Sequence, residues 1–130
     1  MVKQPDTNAL VKQFAEEVAN QTDAMWSGDA RAGNKHAKRY IAAFRKLRAL
    51  GDSGRDALAV LLTHERPDVR VTAAAYLLRH RTLEAMRVLQ EASKGKSLIA
   101  FESSEAIKRW KEGTWALDPP DGSDVSPDQH

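Results

Sequence analysis

The chain has 130 residues, 42% apolar and 29% charged, a length and composition suited to one globular core. It contains no cysteine, which excludes disulfides, cysteine-ligated zinc, thiol catalysis and a thiol redox switch. All 20 Lys and Arg precede residue 113, whereas Asp118, Asp121, Asp124 and Asp128 follow it, so a body of net charge +6 carries a tail of −4 beneath the overall +2. A positive body of this size favours an acidic partner surface without demanding a nucleic acid.

Residues 1–10 lack the apolar run of a signal peptide, and no stretch approaches 18 consecutive apolar residues. The expectation is a cytoplasmic protein with no membrane association. Ala and Leu are abundant and β-branched residues sparse, which favours helix. Asp6 or Thr7 can cap a first helix of roughly 20 residues, with Leu10, Phe14, Val18 and Met25 on its apolar stripe. It ends near Gly28. Asp29 can cap a second helix reaching about Leu50, with Tyr40, Ile41, Phe44 and Leu47 on the core side. Gly51 to Gly54 read as a loop. A short helix over Arg55–His64 follows, then one that opens on Pro67, whose missing N–H costs nothing in a first turn. Thr82 is the expected cap of the next helix, with Leu83, Met86 and Leu89 in line, and Ser97 begins a last one that stops at Gly113.

The spacing therefore predicts an all-α domain of about six helices over residues 1–113. Residues 114–130, with three prolines and four Asp, read as a largely disordered acidic tail from which Trp115 and Leu117 could fold back.

Within Ala57–Ala92, Pro67-Asp68-Val69-Arg70 followed by Ala73-Ala74 and Leu77 resembles the HEAT repeat. That resemblance implies a short right-handed helical-repeat solenoid. In it Asp68 would bind the inter-helix turn and Arg70 would stack between repeats. The whole chain also resembles a small bacterial family of unknown function. The carrying segments are VKQFAEEVANQ, LLTHERPDVRVTAAAYLL and Arg109-Trp110-Lys111-Glu112-Gly113. Small helical proteins of this type resemble immunity proteins that neutralise a cognate toxin. That likeness is an analogy between small helical proteins.

No catalytic constellation emerges. His64-Glu65 begins like a zinc-protease helix, but position 68 is Asp rather than His, and no Gly-rich phosphate loop is present. Neither enzymatic activity nor a metal or other cofactor is expected. The second helix is the functional candidate. At 100° per residue Arg31, Lys35, Lys38 and Arg45 form a stripe flanked by Arg39 and Lys46, opposite the apolar side. Three readings stand: a solvated face, a docking face for an acidic protein such as a toxin domain, or a phosphate-backbone face for nucleic acid. Tyr40 and Phe44 on the core side argue against base stacking. Trp26 and Trp110 read as core or capping aromatics, and Trp115 as the exposed anchor of a partner surface.

Overall fold

The computed structural model describes residues 6–119. Their regular structure is helical throughout: α1 (Thr7–Trp26), α2 (Ala30–Ala49), α3 (Asp52–Leu58), a 3-10 turn (Ala59–Thr63), α4 (Pro67–Leu77), α5 (Thr82–Ala92) and α6 (Leu98–Glu112). The all-α class and the six helices agree with the periodicity. Residues 120–130 of the expected tail lie outside the described residues. The chain divides into two compact units between Arg70 and Val71, a point inside α4.

The first unit is built on the α1–α2 hairpin. Asp6 caps α1, its carboxylate accepting from the backbone N–H of Asn8 and Ala9. Leu10, Val11, Phe14 and Val18 of α1 are buried, as are Ala43, Phe44 and Leu47 of α2. Phe14 meets Tyr40 edge-on at 5.5 Å. Glu17 of α1 reaches His36 of α2 at 2.6 Å. Gly28, at φ 81°, turns the chain, and Asp29 caps α2 through the N–H of Ala32. Met25 does not complete the buried stripe as its spacing suggests. It is 52% exposed at the end of α1.

The expected loop over residues 51–54 is shorter than its two glycines imply. Gly51, at φ 75°, makes the turn alone, and α3 already includes Gly54. Gly54 serves packing instead: a Cβ there would drive into the backbone carbonyl of Leu47. The helix read over residues 55–64 tightens after Leu58 into the 3-10 turn.

Between that turn and α4, polar groups hold the chain. Arg70 donates to the carbonyls of His64 (2.8 Å) and Glu65 (3.1 Å). Asp68 is 7% exposed, accepts from Nε and an Nη of Arg66 at 3.0 Å each, and accepts from the N–H of Val69. Arg66 also reaches Asp23 of α1 at 3.4 Å. Asp68 thus holds Arg66, a residue of the connection between the 3-10 turn and α4, and Arg70 reaches back six residues to the carbonyls of that same connection.

In the second unit, burial runs around most of α4: Val71, Ala73, Ala74, Tyr76 and Leu77 are all buried, as is Leu78 just beyond it. α5 contributes Ala85 and Leu89, but Leu83 is 76% exposed despite its place in the apolar line. Thr82 does not cap α5. Its hydroxyl donates back to the carbonyl of Leu78 at 2.6 Å, satisfying the preceding helix end instead. Ser97 caps α6 by accepting from Ala100 N–H, and Gly113, at φ 78°, ends it in the left-handed cap conformation.

Two stability predictions follow from these contacts. Gly54→Ala forces backbone apart and should cost about 3 kcal/mol in urea unfolding. For Asp68, burial pushes the carboxyl up, but hydrogen bonds from Arg66 and Thr22 and the Arg66 charge outweigh it, leaving it below its ordinary 3.8. The stabilisation from its charged form is therefore complete above that pH and lost as pH falls through the lower folded value. Asp68→Asn should lower stability by about 2 kcal/mol at neutral pH, a figure reduced for the partial exposure of Arg66. It should also flatten the loss of stability as pH falls below about 4, measured as the urea midpoint against pH.

Candidate functional site

The site begins at the tip of the α1–α2 hairpin and continues along α2. A 20-residue helix with Phe44 and Leu47 buried on one side must present its other side to solvent. Arg31, Lys35, Lys38, Arg39 and Lys46 are exposed there, whereas Arg45 is half-buried and already engaged within the fold. Arg39 lies 3.9 Å from Glu17, a long and half-exposed pairing. Arg31, Lys35, Lys38 and Lys46 enter no ion pair among the described residues. From Arg31 to Lys46 this face spans about 22 Å at 1.5 Å per residue.

The two tryptophans change places relative to expectation. Trp26 is 80% exposed. It is the last residue of α1, so no following turn covers it, and the three-residue connection Ser27–Asp29 leads directly into α2. The first exposed cation, Arg31, lies five residues further on. A large aromatic thus stands at the head of the cationic stripe, where the sequence suggested a core or capping residue.

Trp115 is half-buried rather than an exposed anchor. Its indole N–H donates to the carbonyl of Ala75 at 2.7 Å, and its ring meets Trp110 edge-on at 5.4 Å. Gly113 reverses the chain so that Thr114 and Trp115 N–H return to the carbonyl of Arg109. Asp118, read as part of a solvated tail, is fully buried. Its carboxylate lies 3.3 Å from Arg79, and its carbonyl accepts from Arg79 Nε at 2.7 Å. The ordered chain therefore runs past residue 113, because this clasp supplies the partners that a lone acidic tail lacks. Trp115 belongs to the second unit and the α2 cations to the first, so the residues predicted as one binding set occupy separate units.

Among the described residues no group of three or more His, Asp or Glu is placed to hold a metal. No buried side-chain N or O lacks a hydrogen-bond partner there. No helix of the described residues is long and apolar enough to cross a membrane.

No family model matches the chain, and no curated protein does. The chain is similar to the protein RPA1889 from Rhodopseudomonas palustris CGA009, whose crystal structure aligns with a TM-score of 0.81 at 23% identity. The alignment covers 89% of this chain and 98% of that one. At that identity the likeness shows a shared fold.

The exchanged roles of the tryptophans are measurable. Trp115→Phe loses the bond to Ala75 and should cost about 1–2 kcal/mol of stability. Trp26→Ala, at a position that buries little, should stay within about 0.5 kcal/mol of the wild type in the same urea titration.

Proposed function

We propose that the protein is a non-enzymatic binding module whose α2 face docks an acidic protein surface, with Trp26 as its apolar anchor. The observation that carries this reading is the juxtaposition of an 80% exposed Trp with a run of exposed cations on one rigid hairpin. Tryptophan and arginine are enriched among the residues that dominate binding energy, and complementary charge steers encounter and fixes register. The helical-repeat reading of residues 57–92 as a HEAT-like scaffold belongs to the same proposal. So does an immunity-type role, the neutralisation of a cognate toxin domain.

Co-expression with the product of an adjacent gene tests the role directly. A complex that co-elutes in gel filtration and relief of toxicity are expected. Absence of both would sink it. Lys35→Glu with Lys38→Glu should weaken the complex at least about tenfold, and Trp26→Ala comparably, with unfolding midpoints near wild type.

A weak nucleic-acid-binding function is the second reading, and the same Trp26 favours it by supplying the stacking aromatic that α2 lacks. Four phosphate contacts from Arg31, Lys35, Lys38 and Lys46 give duplex binding a slope of about −3.6 in log affinity against log salt. A fluorescence titration of duplex and single-stranded oligonucleotides from low to physiological salt measures that slope. No binding at low salt would remove this reading.

A further inference from the structure

The seam of the α1–α2 hairpin sets an acid against the edge of the cationic face. α2 carries no acidic residue of its own. Glu17 reaches it from α1, with 15% of its side chain exposed. His36 stands 2.6 Å from Glu17 Oε2. A carboxylate only accepts, so His36 Nδ1 carries the proton and donates. Arg39 lies 3.9 Å from the same oxygen, and 54% of its side chain is exposed.

The two contacts differ in kind. The bond from His36 is short, and it satisfies a carboxylate that would be costly to bury alone. At 3.9 Å Arg39 makes no hydrogen bond to Glu17 and is held by charge. Drawing Arg39 away from Glu17 therefore breaks no hydrogen bond. At 100° per residue His36, Arg39 and Lys35 step from the seam to the middle of the outer side of α2. Arg39 is thus an edge cation of the face, and its charge is partly cancelled from within. Arg31, Lys35, Lys38 and Lys46 have no such partner among the described residues.

Resting on the reading of α2 as a docking face for an acidic protein, we propose that Glu17 is a resident competitor that selects the partner. To engage the whole face, a partner must present a carboxylate that draws Arg39 away from Glu17. Such a carboxylate offers Arg39 two parallel N–H···O bonds where Glu17 accepts none from it, so the exchange is favourable. Glu17 stays behind, held by His36, and its charge opposes a second anion at that spot. A partner of scattered charge gains too little from Arg39 to overcome this opposition. One with closely spaced carboxylates engages Arg39 together with Arg31, Lys35, Lys38 and Lys46. Glu17 is a positioning residue in this scheme, since it acts on the partner through Arg39.

Fluorescence anisotropy of end-labelled poly-L-glutamate, titrated at low salt with the full chain, tests this. Glu17→Gln keeps an acceptor for His36 and should tighten binding about two- to fivefold, the range for one exposed pair. Arg39→Gln should weaken binding by a similar factor. In the Arg39→Gln background the gain from Glu17→Gln should shrink to about 1.5-fold or less, because no Arg39 is left to release. Glu17→Asp keeps the net charge but draws the carboxylate back by one methylene, and it too should tighten binding. Equal gains from Glu17→Gln with and without Arg39 overturn the proposal, since they mark a diffuse effect of charge. So does a Glu17→Asp variant no tighter than the wild type. A wild type that binds no poly-L-glutamate overturns the docking reading and this inference together, whereas binding that ignores Glu17 overturns this inference alone.

Discussion

The first unit turns on the carboxylate of Asp68. A charge taken from water must be repaid by close, well-aimed donors. Arg66 supplies two and the Val69 N–H a third. Because Arg66 also reaches Asp23 of α1, this group ties the start of α4 to the end of the first helix. Arg70 adds the carbonyls of the intervening turn. The α1–α2 hairpin has its own apolar seam, but the direction in which the chain leaves the 3-10 turn is set by these polar contacts. With Arg66 shared between Asp68 and Asp23, the buried charge selects one arrangement.

The candidate binding surface inherits its rigidity from that hairpin. Phe14, Phe44 and Leu47 fix α2 against α1, and the exposed side of α2 is whatever remains. The cations are consequently held at helical spacing, so their separation costs no ordering when a partner arrives. Trp26 stands where this frame ends. The second unit follows different logic: its last helix buries small residues and leaves Leu98 and Phe101 outside, while its aromatic pair Trp110–Trp115 and the Arg79–Asp118 clasp hold Trp115 and Asp118 to that unit. Each unit therefore carries its own surface, cationic in one and apolar in the other.

The sequence by itself determined what depends on neighbours within a turn or two. Helix number, the Asp6, Asp29 and Ser97 caps, the Gly113 stop and the two sides of α2 all follow from 3.6-residue periodicity and from the hydrogen-bonding needs of helix ends. What only the tertiary structure decided depends on contacts between elements. Gly54 reads as a turn residue until Leu47 of the preceding helix is laid against it. Trp115 reads as exposed until Ala75, forty residues away, offers an acceptor, and Asp118 reads as tail until Arg79 is beside it. Trp26 has the opposite history, since an aromatic at a helix end is buried only if some other segment arrives to cover it, and none of the described residues does. Periodicity specifies which side of a helix is apolar. Which of those apolar residues are covered is a property of packing.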